Sequence, residues 1–211
     1  MPCEELPVTW FERLTALTSH RGSLCVGIDP HPSILEAWGL PDDVTGLESC
    51  ARGMVEALGD VVAVFKPQSA FYEVYGSAGI AVLERVLADI RDAGALSILD
   101  VKRGDIGSTM AGYARAYLSD DAPLRADAIT VSPFLGFESL RPAIDLAHET
   151  GRGLYVLART SNPEGASVQL ATGESGTISQ HIIDAAHAEN LASGQFAVGL
   201  VIGGTHASLQ C

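Results

Sequence analysis

Six short apolar segments recur along the chain, and each is continuously hydrophobic rather than alternating between apolar and polar residues. Continuous runs of this length, rich in valine and isoleucine, are typical of strands that are buried on both faces of a parallel sheet. The segments are LCVGI (24–28), VVAVF (61–65), LSIL (96–99), AITVS (128–132), GLYVLA (153–158) and FAVGLVIG (196–203).

The stretches between these segments carry helical patterns. Ile80, Leu83, Leu87 and Ile90 follow the 3.6-residue period, and Gly94 is a stop signal directly after them. Leu14 and Leu17 indicate one more helix before the first strand. The other predicted helices are 47–58, 108–118, 137–149 and 178–191.

Six strands alternating with helices predict βαβ units and a parallel sheet, either an open doubly wound sheet or a (β/α)8 barrel. The first strand–helix junction reads GIDPHPS and has no GxGxxG motif, which a dinucleotide-binding sheet would show. Polar residues follow several different strands, which is how a barrel builds its active site, so we favour the barrel. They are Asp29, His31, Lys66, Gln68, Asp100, Lys102, Asp105, Ser132, Arg159, Ser161 and Asn162.

The composition and net charge limit the kinds of partner and cellular location that the protein can have. The 211 residues are 47% hydrophobic and carry a formal net charge of −13, which fits one domain with a sizeable core and argues against nucleic acid or an anionic membrane as a partner. Cys3, Cys25, Cys50 and Cys211 have no metal-ligand or redox spacing, and the chain shows no signal peptide and no membrane-spanning run. We therefore expect a cytoplasmic protein.

The stretch LDVKRGDIG (99–107) concentrates charge at the end of the third apolar segment. On an extended segment Asp100 and Lys102 share a face, and opposite charges roughly 4 Å apart interact by ~4 kcal/mol at an effective dielectric constant near 20. With Lys66 and Asp105 they can form an alternating array of ammonium and carboxylate groups. Such an array holds a proton donor beside a carboxylate that repels an anionic substrate group.

Each of these residues also has a purely structural interpretation. Asp100 and Lys102 can form a structural ion pair, and Asp105 can be the N-cap of the helix that follows. Lys66 can be a solvated strand end, and Asp29, which precedes Pro30, can be a turn former. The residues alone leave both interpretations open.

Five separated motifs, taken together, resemble the orotidine 5'-phosphate decarboxylase family, in particular its bacterial branch with the longer chain. They occur in the family's order and span about Leu14 to Gly203. The motifs are LCVGIDPHP, VFKPQSAFYEVYG, LDVKRGDIGSTMAGYA, ITVSPFLGFESL and RTSNPEG.

This resemblance implies a (β/α)8 barrel that works as a homodimer and converts orotidine 5'-monophosphate to UMP and carbon dioxide without metal or organic cofactor. Lys102 would be the proton donor, Asp100 would face the departing carboxylate, and Asp105 would enter the partner subunit's site to complete an array with Lys66. Asp29 and Lys66 would bind ribose hydroxyls, Thr109 would arrive across the dimer interface, and Ser161 would contact the pyrimidine edge.

The sequence also departs from the family pattern. The glycine-rich turn and the arginine that hold the substrate phosphate in the family follow its last two strands, and neither is found here. We therefore expect residues 1–211 to form one incomplete barrel domain with about the first six βα units. The alternatives are a metal-dependent phosphosugar decarboxylase or synthase on the same barrel, and a catalytically inactive fragment.

Overall fold

A computed structural model describes residues 8–173 and 176–205. Its centre is a six-stranded parallel sheet in which neighbouring strands follow one another along the chain in the order β1-β2-β3-β4-β5-β8. The strands are β1 (Cys25–Ile28), β2 (Val64–Pro67), β3 (Leu96–Arg103), β4 (Ala128–Val131), β5 (Gly153–Arg159) and β8 (Val198–Ile202).

The strand order distinguishes the two architectures that the sequence allowed. A doubly wound sheet reverses its strand order at a switch point, where its ligand binds. The described sheet has no such reversal, because every added strand lies beside the previous one. The sheet is thus part of a singly wound barrel, as predicted, and it places the carboxyl ends of all six strands along one rim.

Helices connect the strands and cover the outer face of the sheet. A two-residue hairpin, β6 (Thr172–Gly173) with β7 (Gly176–Thr177), lies between β5 and the last helix. The helices are α1 (Trp10–Arg21), α2 (Pro32–Ala37), α3 (Val44–Leu58), α4 (Ala70–Glu73), α5 (Gly76–Asp92), α6 (Gly107–Leu118), α7 (Arg141–Thr150), α8 (Ala166–Gln169) and α9 (Ile178–Ser193).

Helix α1 closes the amino-terminal end of the half-barrel. Trp10 is 3% exposed, packs with Val64, Leu96 and Ile98, and meets the ring of Tyr155 edge-on at 6.1 Å between centroids. Burying an aromatic side chain of this size contributes about 1.5–3 kcal/mol. With that end filled by side chains, the carboxyl-terminal rim is the open end of the sheet.

The predicted elements are all present, with three informative differences in their bounds. Strand β3 runs four residues beyond the predicted 96–99, and β2 begins three residues later than the predicted 61–65. The predicted helix 137–149 is divided into a 3-10 turn, Phe137–Leu140, and α7, because Pro142 lacks an N–H and fits only the first turn of a helix. No helix in the described part of the chain is long and apolar enough to cross a membrane.

Candidate active site

The charged residues of β2 and β3 meet at the carboxyl-terminal rim. The sequence predicted that these polar residues follow their strands. In the structure Lys66 lies at the end of β2, and Asp100 and Lys102 lie inside β3. Strand β2 continues past Lys66 as an isolated bridge between Gln68 and Asp100. The parallel pairing of β2 with β3 therefore brings the two lysines to opposite sides of one carboxylate.

Asp100 is the centre of this cluster and is only 4% exposed. Its Oδ2 atom accepts hydrogen bonds from the ammonium of Lys66 and from Gln68 Nε2 at 3.1 Å. Its Oδ1 atom accepts hydrogen bonds from Lys102 Nζ at 2.6 Å and from Thr130 Oγ1 at 2.8 Å. Burial alone raises the pKa of Asp100, but the hydrogen bonds from Lys102, Lys66 and Thr130 outweigh it and hold the pKa below its usual value.

The backbone conformation of Lys102, whose side chain binds Asp100, differs from the one expected. The sequence predicted a regular extended segment over Asp100 and Lys102, and this prediction is wrong, because Lys102 has a φ of 45°. The β3–β4 register also shifts between Leu99 and Arg103, which is a bulge. The left-handed conformation costs a non-glycine residue about 1–2 kcal/mol, so the surrounding contacts must hold it in place.

Arg103 supplies part of that support on the outer side of β3. Its Nη2 atom donates to Glu73 Oε1 at 2.9 Å, its Nε atom donates to the Tyr117 hydroxyl at 3.4 Å, and its guanidinium lies 5.5 Å from the ring centroid of Tyr113. The Arg103 carbonyl accepts from the N–H of Ser132 at 2.7 Å. These contacts fasten the end of β3 to α4, α6 and β4 on either side of Lys102.

Asp29 lies next to the cluster at the end of β1. Its carboxylate lies over Gly27, so closely that a Cβ atom on Gly27 would collide with Oδ2. Gly27 is the strand partner of Lys66, so Asp29 is placed toward the Lys66 side of the rim. The backbone carbonyl of Asp29 also accepts from the N–H of His31 at 2.7 Å, consistent with a turn, and the His31 ring packs on Phe71 at 4.2 Å.

Asp105 is not part of the charged cluster of this chain. Its Oδ1 atom accepts from the N–H of Ile106 at 2.8 Å, and none of the ion pairs between described residues includes it. The N-cap interpretation is wrong, because the N-cap residue of α6 is Ile106. Thr109, in the first turn of α6, is exposed. Asp105 is half-buried in the loop before α6, and Thr109 is exposed at the start of that helix.

Ser161 follows β5 and is also exposed. The chain beyond β8 packs directly against it, because a Cβ atom on Gly203 would lie 2.7 Å from the backbone nitrogen of Ser161. The N–H of Gly203 donates to the carbonyl of Arg159 at 2.6 Å. Ser161 is therefore on the same rim as Asp100, two strands further along the sheet.

A cavity of about 490 Å³ opens at the charged cluster, with Asp29, Gln68, Asp100 and Lys102 in its wall. This volume falls within the range of small-molecule sites. Among the described residues, there is no group of three or more histidine, cysteine, aspartate or glutamate side chains that could hold a metal ion.

Thr130 contacts the charged cluster and was not among the candidate residues predicted from the sequence. It lies within the apolar run AITVS, where a threonine looks like an ordinary β-branched strand residue. The only signal was a hydroxyl in a strand predicted to be buried on both faces, since a buried hydroxyl requires hydrogen-bond partners.

Comparisons with known proteins agree with this geometry. Residues 22–210 match the model of the orotidine 5'-phosphate decarboxylase / HUMPS family. Orotidine 5'-phosphate decarboxylase of Salinispora tropica is 56% identical over 195 residues, covering 92% of this chain and 70% of that protein. The enzyme of the same name from Streptomyces coelicolor is 55% identical over 201 residues, covering 93% and 72%.

Solved structures share the fold. A Streptomyces avermitilis protein superposes with a TM-score of 0.94 at 54% identity, covering 97% of this chain and 73% of that one. Leishmania donovani OMP decarboxylase superposes with a TM-score of 0.79 at 29% identity, covering 94% and 72%.

Proposed function

The chain belongs to the orotidine 5'-phosphate decarboxylase / HUMPS family, and from this premise we propose that it converts orotidine 5'-monophosphate to UMP and carbon dioxide. The observation that carries the proposal is the Lys66–Asp100–Lys102 array, a buried carboxylate between two ammonium groups. Asp100 and Lys102 of this array lie in the wall of a cavity of suitable size for a nucleotide base and ribose.

The reaction breaks the bond between pyrimidine carbon 6 and its carboxylate. The bonding electrons stay on carbon 6, carbon dioxide leaves, and the Lys102 ammonium gives a proton to carbon 6 to form UMP. Water then returns a proton to Lys102. The carbanion is localised and unstable, so a cation already in place where negative charge develops contributes more than one that must reorient.

Asp100 acts on the substrate carboxylate in this scheme. Its pKa is held below the usual value, so it is ionised at neutral pH and repels a second carboxylate beside it. That repulsion is relieved as carbon dioxide leaves, while the attraction of Lys102 for carbon 6 increases. Interactions that favour the transition state over the bound substrate are the ones that accelerate the reaction.

We place the remaining site residues by the same family pattern. Asp29 and Lys66 bind ribose hydroxyls, which fits their adjacency through Gly27 on the β1–β2 pair. Ser161 contacts the pyrimidine edge from the end of β5. The binding energy of these nonreacting parts of the substrate can be used to desolvate and orient the reacting carboxylate.

The active form that we propose is a homodimer with shared sites. Asp105 of the partner subunit completes the array beside Lys66, and Thr109 of the partner subunit reaches the ribose. The support for this is the exposure of apolar residues on the β3–α6 loop and on the loop after β4, which touch through Gly104 and Ser132, since Ile106, Phe134 and Leu135 are each more than half exposed. Apolar residues clustered beside an incomplete polar site are typical of a surface that a protein partner covers.

We further propose a cytoplasmic location for this reaction. Cys25 and Cys50, the cysteines that the structure describes, are both free thiols. Free thiols persist in a reducing compartment.

The experiment that tests the function follows release of labelled carbon dioxide from orotidine 5'-monophosphate carrying the label in its carboxylate. When the chain also carries the glycine-rich turn and the arginine that hold the phosphate in the family, we expect turnover on the order of 1 s⁻¹ or faster, with UMP as the only nucleotide product and no loss of rate in EDTA. A rate that EDTA abolishes and Mg²⁺ restores would instead support the metal-dependent phosphosugar alternative. No turnover by the dimer would overturn the proposal and favour an inactive fragment.

A further inference from the structure

Thr130 lies where strands β3 and β4 lose their regular pairing. The register passes from Leu99 opposite Ile129 to Arg103 opposite Val131, so three residues of β3 face the single residue Thr130. The side chain is buried, with Thr130 only 1% exposed. Its hydroxyl is therefore enclosed at the position where the backbone ladder is interrupted.

The hydroxyl makes two hydrogen bonds there, and both go to the charged cluster. Thr130 Oγ1 donates to Asp100 Oδ1 at 2.8 Å and accepts from the backbone N–H of Lys102 at 2.9 Å. Because the bulge moves the Lys102 N–H out of the regular β3–β4 ladder, the Thr130 side chain supplies the acceptor that the backbone does not. One atom thus binds both the carboxylate and the strained backbone of the proton donor.

We propose that Thr130 is a positioning residue for the decarboxylation, setting the Lys102 ammonium and the Asp100 carboxylate at a fixed separation before substrate binds. The inference rests on the proposed function. Thr130 is not one of the described residues that line the cavity. It therefore acts through Asp100 and Lys102 and does not contact the substrate. An error of about 1 Å in such a placement can reduce a rate by about 10²-fold.

This role depends on the hydroxyl group of Thr130 and not on the shape of its side chain. Thr130→Val has nearly the same volume but leaves the Lys102 N–H without an acceptor and removes one donor from Asp100 Oδ1. Thr130→Ser keeps the hydroxyl and loses only a methyl group. The two variants therefore separate hydrogen bonding from packing.

Ser97 offers a matched control on the same pair of strands. It is 3% exposed, its Oγ atom donates to Asp127 Oδ2 at 3.0 Å, and it accepts from the backbone N–H of Asp127 at 3.0 Å. It therefore makes the same two kinds of bond as Thr130, but near the amino-terminal end of the strands and far from the rim. Ser97→Ala measures what losing a buried hydroxyl does to stability alone.

The experiment compares kcat, KM and thermal unfolding for the wild type, Thr130→Val, Thr130→Ser and Ser97→Ala. We expect Thr130→Val to lower kcat by about 10²-fold with KM changed less than threefold, and Thr130→Ser to recover most of that loss. Ser97→Ala should lower the unfolding temperature by as much as Thr130→Val while its kcat stays at the wild-type value. A Thr130→Val enzyme with wild-type kcat, or a Thr130→Ser enzyme as slow as the valine variant, would overturn the inference.

Crystal structures of the Thr130 variants keep this test separate from the test of the function. We expect Lys102 Nζ to leave hydrogen-bond distance of Asp100 in Thr130→Val and to stay within it in Thr130→Ser. If the wild type releases no carbon dioxide, the proposed function fails, while an unchanged Lys102 position in Thr130→Val contradicts the positioning role whatever the wild-type activity.

Discussion

Lys102 Nζ lies 2.6 Å from Asp100 Oδ1, although the backbone between these two residues leaves the extended conformation at Lys102, where φ is 45°. The proximity therefore does not come from strand alternation. It depends on the bulge in β3, on Thr130 and on the anchoring of Arg103. The site is held by its surroundings in a conformation that the local sequence disfavours.

The Asp100 carboxylate should stabilise the folded protein in a pH-dependent way. Its pKa is lower in the folded chain than in the unfolded chain, so its contribution is fully present above about pH 4 and is lost as pH falls through the folded pKa. We expect Asp100→Asn to lower the free energy of unfolding by about 2 kcal/mol at pH 7, since both lysines keep part of their hydration.

Urea denaturation of both proteins between pH 7 and pH 3 checks this expectation. The difference in unfolding free energy should begin to shrink below about pH 4, because the unfolded wild type takes up a proton on Asp100 there, while the folded wild type takes it up only at lower pH. Other carboxylates titrate in both proteins and cancel in the difference. A difference that stays constant down to pH 3 contradicts the proposed charge state of Asp100.

Gly27 should matter for substrate binding through Asp29. A Cβ atom at position 27 would displace the Asp29 carboxylate, because the two occupy the same space. We expect Gly27→Ala to raise KM for orotidine 5'-monophosphate by about fivefold, the value of one hydrogen bond of roughly 1 kcal/mol, with a smaller change in kcat.

Gly53→Ala is the control for that substitution. Gly53 lies in α3, and a Cβ atom there would have open space around it. Its kinetics should match those of the wild type. Equal KM values for the wild type and Gly27→Ala would show that Asp29 does not bind the ribose from the position seen here.

The sequence predicted the architecture well because the hydrophobic pattern carries it. Each continuous apolar run became a parallel strand, and the lack of a GxGxxG motif at GIDPHPS correctly favoured a barrel. Burial on both faces was predicted for all six strands, but it is wrong for β1 and β8, which are the edge strands of the sheet and are partly exposed. The short helices α2 and α4 were missed, because four to six residues are too few to show a helical period.

The site was predicted less completely, for a different reason. Lys66, Asp100 and Lys102 were found because charge at the end of an apolar run is conspicuous. Thr130 was not, because its role depends on a register shift between two strands, and register is a long-range property. The positive φ of Lys102 was missed for the same reason, because it accompanies the register shift and no residue in VKRG (101–104) indicates a left-handed backbone conformation at the lysine.

The dimer proposal makes a complementation prediction. Chains with Asp105→Ala and chains with Lys102→Ala should each be inactive, because each lacks one member of every site. After mixing under conditions that exchange subunits, activity should reappear, since a hybrid dimer contains one site with both residues. Decarboxylation measured against time of mixing follows the exchange.

Mixing two batches of the Lys102→Ala protein provides the baseline for that experiment. Subunit exchange itself is verified by native mass spectrometry of the mixture. Hybrid dimers that form but stay inactive would show that Asp105 does not act in the partner subunit's site.

The most direct test of the account is the behaviour of Lys102→Ala with substrate and with product. In a chain that also carries the family's last two βα units, we expect decarboxylation of orotidine 5'-monophosphate to be abolished, because no other described side chain holds an ammonium at that end of the Asp100 carboxylate. We expect UMP to bind within about tenfold of the affinity of the same chain with Lys102, or roughly 1.4 kcal/mol. Near-normal turnover by this variant, measured as carbon dioxide released per active site, would contradict the assignment of Lys102 as the proton donor.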